Sequence, residues 1–310
     1  MIGREIKVFA PATISNIACG FDIMGFAIDY PGDELVLRVV EKKGVKITKI
    51  TGDAGKLPLE AEKNTAGMAL IKMLEYLNVG FGVEVEINKK MALGSGLGSS
   101  AASAVAGVFA LNKLLEKKLT KKELTEFALK GEEVASKAIH ADNVGPCLYG
   151  GFTLIRGYDP VDIIEIPTPD DLYCTVIHPE IEIKTSEARA LLPKEVELKK
   201  AITQWGNVGG LISGLYRKDY DLISRSLNDV IIEPVRAALI PNYYEIKNAA
   251  NNAGALGCNI SGSGPSIFAL SIREETANLI GDAMKSVVDA MKVESTVYIS
   301  KINKKGPRVI

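Results

Sequence analysis

The segment from Phe81 to Leu115 constrains this chain more than any other, because it orders a strand, a glycine loop and a helix without interruption. Phe81, Val83, Val85 and Ile87 alternate with Glu84 and Glu86, which predicts a half-buried strand. The loop Gly94-Ser95-Gly96-Leu97-Gly98-Ser99-Ser100 follows it. Behind the loop, Ala101, Val105, Val108, Phe109, Leu111 and Leu115 predict a helix from about Ser99 to Glu116. Glycines let a backbone approach a ligand closely, and a helix N-terminus offers unsatisfied N–H groups at the positive end of its dipole. The pattern therefore points to an anion site of the size of a phosphate chain, with a structural turn as the alternative that spacing leaves open. No Lys-Ser/Thr pair follows the last glycine, so this is not a P-loop. The third glycine comes one residue too early for a dinucleotide-binding turn. A flexible linker would not hold Leu97 at its centre between an alternating strand and an apolar helix.

Around this segment the pattern is mixed. Leu35, Leu37 and Val39 predict a strand over 33–40, and Val45 to Ile50 is expected as its hairpin partner across Lys43-Gly44. Met68, Ile71 and Leu74 predict a helix over 65–77, and Thr120-Lys121-Lys122-Glu123 forms a capping box that starts another. Gly150-Gly151 turns into a strand over 152–156. Pro and Asp gather between Tyr158 and Asp171, which places a domain boundary there and divides the chain into 1–160 and 161–310. The second half predicts strands over 172–178, 257–260, 266–271 and 294–300, with helices near 186–192, 196–217, 219–230, 242–253 and 273–291. A second Gly/Ser loop lies between the strands at 257–260 and 266–271.

Composition narrows the function classes. At 310 residues the chain accommodates two packed domains. The formal net charge is -1 and the basic residues are scattered, which leaves no electrostatic footprint for nucleic acid or a membrane surface. No apolar run reaches the ~20 residues of a membrane span, and the N-terminus lacks the apolar core of a signal peptide. Cys19, Cys147, Cys174 and Cys258 are far apart and are expected as reduced thiols, and two histidines make a His-rich metal site improbable. The expectation is a soluble cytoplasmic protein.

Ala92-Leu93-Gly94-Ser95-Gly96-Leu97-Gly98-Ser99-Ser100-Ala101-Ala102-Ser103 resembles the ATP-binding motif of the GHMP kinases. Two further stretches resemble that superfamily in the expected order, Pro11 through Asp22 near the start and Gly257 through Ser266 near the end. Asn16 to Gly25, His140 to Cys147 and Thr185 to Arg189 are most similar to its homoserine kinase branch. Ala92 departs from the pattern, where the family more often has proline, but this removes no ligand group. The resemblance implies an α+β, two-domain fold, with an N-terminal domain like ribosomal protein S5 domain 2 and a ferredoxin-like C-terminal domain. It further implies ATP and Mg²⁺, an alcohol acceptor in threonine biosynthesis, and a homodimer.

A zwitterionic amino acid acceptor needs an anion for its ammonium, a fork of donors for its carboxylate and polar groups at its hydroxyl. The resemblance assigns Asp22 to the ammonium and Asn16 to the neighbourhood of the hydroxyl. Arg189 and Arg236 are candidates for the carboxylate, because the guanidinium fork matches it bidentately. His140, Asp142, Asn143, Thr185 and Gly262 complete the acceptor set that the resemblance implies. Ser100 and Glu132 are similar to the family's metal-holding pair, and Asn64 and Lys89 match positions near the nucleotide. Taken alone, most of these would be a turn aspartate, a cap asparagine or a solvated charge. Another GHMP kinase acting on a sugar or mevalonate-type acid, or a GHMP-fold nucleotide sensor without turnover, are the alternative functions.

Overall fold

The computed structural model describes residues 1–116, 118–136 and 140–310. Eleven strands, in two sheets, and ten α-helices are present among the described residues. The first half contains β1 (Glu5–Ser15), β2 (Met24–Val40), β3 (Gly44–Thr51), α1 (Thr65–Leu77), β4 (Gly82–Asn88), α2 (Ser99–Leu114), α3 (Lys121–Ser136), α4 (Ala141–Tyr149), β5 (Phe152–Tyr158) and β6 (Val161–Ile166). The second contains β7 (Tyr173–Pro179), α5 (Thr185–Ala190), α6 (Leu198–Arg217), α7 (Tyr220–Ser226), α8 (Glu233–Arg236) and α9 (Tyr243–Asn252). It continues with β8 (Gly257–Ile260), β9 (Ile267–Ser271), α10 (Glu274–Ala290), β10 (Ser295–Lys301) and β11 (Arg308–Val309).

The larger sheet runs β11-β1-β2-β4-β3, with β5 and β6 attached through β2. Leu35, Leu37 and Val39 are buried on one face of β2, as their alternation requires. The expected hairpin of β2 with β3 does not form. β4 takes the edge of β2 in antiparallel register, with Leu35 opposite Ile87 and Leu37 opposite Val85, and β3 then pairs with β4 in parallel. Val83 and Val85 are fully buried, so the more apolar strand occupies the interior place and β3, rich in lysine, forms the sheet edge. The expected boundary at 160/161 falls inside a hairpin. β5 pairs with β6 from Phe152–Ile166 to Tyr158–Val161, so the Pro-Asp stretch is first a turn and the chain leaves this sheet only after Ile166.

The smaller sheet is antiparallel in the order β10-β7-β9-β8, with α10 packed on β7 and β10 and with α9 packed on β8. In the larger sheet α2 and α4 lie against β1 and β2, while α1, α2 and α3 pack on one another. Helix α2 is lined by alanines at 101, 102, 104 and 106 and is buried on almost every side. The capping box holds: Thr120 N–H donates to Glu123 Oε2 at 2.7 Å and Glu123 N–H to Thr120 Oγ1 at 3.3 Å. The two sheets meet at the front of α2, where β1 ends, β2 begins and the second Gly/Ser loop arrives between β8 and β9.

Candidate active site

The glycine loop is a set of left-handed turns wedged between the two sheets. Gly94, Gly96 and Gly98 have φ of 70°, 77° and 67°, a region that L-residues with side chains rarely enter. Steric room is a separate constraint. A Cβ on Gly96 would sit 2.4 Å from the carbonyl oxygen of Ser261, and one on Gly98 would sit 2.0 Å from Thr13 Oγ1. The loop is pinned from both sides, by two backbone N–H groups and one hydroxyl. Thr13 N–H donates to Leu97 O at 3.0 Å, Ser266 N–H to Ser95 O at 3.3 Å, and Ser261 Oγ to Gly96 O at 2.7 Å.

Beneath the loop lies a buried polar knot. Asp33 accepts from Ser99 Oγ at 2.8 Å, from Lys90 N–H at 2.8 Å and from Met91 N–H at 3.1 Å, and it pairs with Lys89. The Lys89 ammonium also donates to Ser99 O at 2.7 Å and Ser103 Oγ at 2.8 Å. Lys89 and the Ser99 hydroxyl thus secure the first turn of α2 from behind. Two hydroxyls remain: the buried Oγ atoms of Ser95 and Ser100 have no hydrogen-bond partner among the described residues. A buried hydroxyl without a partner costs free energy, so these two fit a phosphate or its cation. Asn64 caps α1, accepting from Ala66 N–H at 3.1 Å and Gly67 N–H at 3.4 Å. Ala92 O closes a turn with Ser95 N–H at 3.3 Å, while Ala102 faces the core.

The loop opens on a cavity of about 780 Å³ shared by both halves of the chain. Its walls include Asn64, Lys89, Leu93, Ser100, Ala101, Glu132 and Gly262, together with Asn16, Asp22, His140, Asp142, Asn143, Arg189 and Arg236. The structure therefore gathers most of the expected residues around one space; Ala92 and Ala102 do not line it. The side chain of Thr185 lies outside the described residues.

At the far end, residues 16–22 form a tight loop after β1. Asn16, Ile17, Ala18 and Asp22 all have positive φ, which holds Asn16 and Asp22 at fixed angles to the cavity. Asn16 Oδ1 accepts from Asp22 N–H at 3.0 Å, and Asn16 Nδ2 donates to Gly262 O at 2.8 Å. Arg189 reaches Asp22 with both guanidinium ends, at 3.1 and 3.0 Å. Arg236, 4% exposed, donates to the same Gly262 oxygen at 2.8 Å and stacks 4.9 Å from the Phe21 ring centre. Burial lowers its pKa from the ordinary arginine value.

The helix dipole of α4 begins beside this end. Burial, with Asp22 nearby, pushes the Asp142 carboxyl up to about 6. His140 sits 3.7 Å from Glu132 Oε2, and the nearby carboxylate raises its pKa. Asn143 Oδ1 accepts from Thr13 Oγ1 at 2.8 Å. Glu132 is buried on α3 and faces the cavity with Ser100, which gives a hard-oxygen pair of the kind Mg²⁺ accepts. Among the described residues, no group of three His, Cys, Asp or Glu side chains converges as a metal cluster.

Several positions that shape the site were not foreseen. Asp33 is an ordinary polar letter in sequence, and Thr13, Ser15 and Ser261 lie within the resembling stretches without a role of their own; the fold brings them under or beside the loop. A buried aspartate inside the apolar alternation of β2 was the one available signal, at Asp33.

Comparison with known proteins agrees with this arrangement. Residues 64–151 match the family described as GHMP kinases N terminal domain, and residues 211–290 match GHMP kinases C terminal. A homoserine kinase of Chlorobium phaeobacteroides (strain BS1) is 51% identical, covering 99% of this chain and all of the relative. The crystal structure of homoserine kinase from Cytophaga hutchinsonii superposes with a TM-score of 0.97 at 57% identity, covering 99% of this chain and 97% of that one. A mevalonate kinase of L. major, at 18% identity and a TM-score of 0.72 over 97% of this chain and 96% of its own, shares the fold. With a glycine loop, the N-terminal loop 16–22 and a C-terminal glycine turn meeting at one cavity, and with relatives matched end to end, the chain belongs to the GHMP kinases and, among them, to the homoserine kinases.

Proposed function

We propose that the chain transfers the γ-phosphoryl group of ATP to the side-chain hydroxyl of L-homoserine, giving O-phospho-L-homoserine and ADP, as a step of threonine biosynthesis. The observation that carries this reading is the charge set that shares a cavity with the glycine loop. One carboxylate, Asp22, and two guanidiniums, Arg189 and Arg236, line the same cavity as the phosphate loop. That spacing of charges suits an amino acid whose hydroxyl points toward the nucleotide.

Each group has a role in this reading. Asp22 takes the ammonium, and the Arg189 fork with Arg236 takes the carboxylate. Asn16 has committed one N–H to Gly262 and its oxygen to Asp22, which leaves a second N–H for the acceptor hydroxyl. The loop amides and the N-terminus of α2 hold the phosphates, with Ser95 contributing its unpartnered hydroxyl. Ser100 and Glu132 would hold the Mg²⁺ carried by ATP, which supplies charge neutralisation at the phosphates when bound. Phosphoryl transfer has a loose transition state, so alignment and charge stabilisation can supply most of the acceleration. The reading includes a homodimer working in the cytoplasm. No helix among the described residues is long and apolar enough to cross a membrane.

The test is ADP release with L-homoserine against L-serine, mevalonate and galactose. Turnover with homoserine well above the rest is expected. A preference for mevalonate or galactose would leave Asp22 without an ammonium to bind and would overturn the acceptor, while nucleotide binding without turnover would indicate a sensor.

A further inference from the structure

The acceptor end of the cavity is built from two stretches far apart in sequence, the loop 16–22 and the one-turn helix α8. One buried side chain outside the cavity joins them. Gln204, on α6, donates from Nε2 to Cys19 O at 3.1 Å and to Asp229 Oδ1 at 2.9 Å. Its Oε1 accepts from Val230 N–H at 3.1 Å. Both amide hydrogens and the oxygen are thereby used. The reversed amide would set its oxygen against two acceptors, so the network fixes the orientation.

Both partners control functional stretches. Cys19 follows Asn16, Ile17 and Ala18, whose φ values are 75°, 39° and 55°. A β-branched residue at such a φ persists only where its surroundings over-determine it. The carbonyl that Gln204 holds closes that run, between Asn16 and Asp22. Asp229, in turn, accepts from Ile231 N–H and Ile232 N–H, both at 2.9 Å, and from Glu233 N–H at 3.0 Å. Its carboxylate therefore shapes the entry to α8, whose last residue is Arg236. Gln204 and Asp229 are 7% and 6% exposed, where an amide–carboxylate hydrogen bond is strong and directional.

We propose that Gln204 is a positioning residue for the acceptor. Through Cys19 it sets the loop that bears Asn16 and Asp22, and through Asp229 it sets the turn that bears Arg236. Its own side chain lines neither the glycine loop nor the cavity. The proposal rests on the amino acid reading above only for the identity of the acceptor.

The test is Gln204→Met in the full chain, which keeps the length of the side chain and removes all three hydrogen bonds. The KM for L-homoserine is expected to rise about tenfold while the KM for ATP stays within about twofold. Amide hydrogen exchange should quicken in 16–24 and 230–236 together, with 95–102 unchanged. Gln204→Asn is the second, milder variant: one methylene shorter, it can hold one partner but not both, and an intermediate KM is expected. Equal rises in both KM values, unchanged KM values with a smaller active fraction, or faster exchange spread over the whole chain would each overturn the proposal. If the wild type fails to phosphorylate homoserine, the acceptor reading falls by itself. The exchange experiment still decides the positioning role, because loosening confined to one of the two segments would refute it.

Discussion

Arg189 grips Asp22 through both ends of its guanidinium, Nη1 to Oδ2 at 3.1 Å and Nη2 to Oδ1 at 3.0 Å. Their side chains are 41% and 34% exposed, and ion pairs this accessible to water contribute at most about 1 kcal/mol. The two groups assigned to opposite ends of a zwitterion thus satisfy each other at little cost to separate. An acceptor that brings an ammonium to Asp22 and a carboxylate to Arg189 replaces one pair with two. Tyr158 holds the Asp22 carbonyl at 2.5 Å, so the aspartate backbone stays in place during such an exchange.

Arg189→Lys is expected to raise the KM for homoserine about tenfold or more, because an ammonium cannot reproduce the two-point fork and a charged hydrogen bond is worth about 1.5–3 kcal/mol. Thermal stability should barely change, since the pair with Asp22 is exposed. Steady-state kinetics beside a melting curve checks both. An unchanged KM would remove Arg189 from the acceptor site.

Gly94 and Gly96 make a paired experiment on the phosphate loop. Both have positive φ, but a Cβ on Gly94 meets no atom within 4 Å, whereas one on Gly96 meets Ser261 O at 2.4 Å. Gly94→Ala is expected to cost about 1 kcal/mol of stability from backbone strain alone. Gly94 lines the cavity, so an added methyl group there should weaken ATP binding. Gly96→Ala adds a backbone collision between the two Gly/Ser loops and should cost about 3 kcal/mol or more. Urea unfolding with and without ATP separates the two. Equal losses would mean that the contact at Ser261 does not constrain the loop.

What the sequence disclosed and what it withheld divide along physical lines. The helix at 65–77, the strand at 82–88 and the loop with α2 behind it were legible because helix period, strand alternation and glycine placement are local signals. The pairing of β3 was not, since Val45 to Ile50 alternates equally well beside β2 or beside β4, and only the competition for the buried edge decides. β1 went unread because its last eight residues are buried in succession and so lack alternation. In the site, Asp22 and the glycines stood out through motif resemblance. Gln204 and Asp33 did not, because a buried polar residue is recognisable only from what surrounds it.

Asp33 provides the next test. It is buried with Lys89, and its carboxylate collects Ser99 Oγ and two backbone N–H groups. Asp33→Leu leaves the Lys89 charge buried without its counter-ion, which typically costs about 3–5 kcal/mol. The first turn of α2 loses its anchor at the same time, so ATP affinity should fall as well. Adding Lys89→Met to Asp33→Leu should recover part of the stability, since the stranded charge is gone, but not the ATP affinity. Unfolding and nucleotide titration of the single and double variants measure the coupling. Simple additivity would show that the pair does not act as a unit.

Asp142 gives a stability signal whose sign is fixed by its surroundings. Burial and the charge of Asp22 push its carboxyl up to about 6, while His140 opposes them. An unfolded aspartate titrates near 3.9, so between about pH 4 and 6 the unfolded chain releases this proton first. The folded state then binds more protons than the unfolded one, and stability falls as pH rises through that window. Above about pH 6.5 the loss levels off at about 3 kcal/mol, from a shift of about two pH units. Asp142→Asn removes the titration. The variant should therefore gain on the wild type progressively between about pH 4 and 6. Urea unfolding of both proteins across this range provides the curve. A difference that does not vary with pH would mean that folding leaves the Asp142 carboxyl at its unfolded pKa.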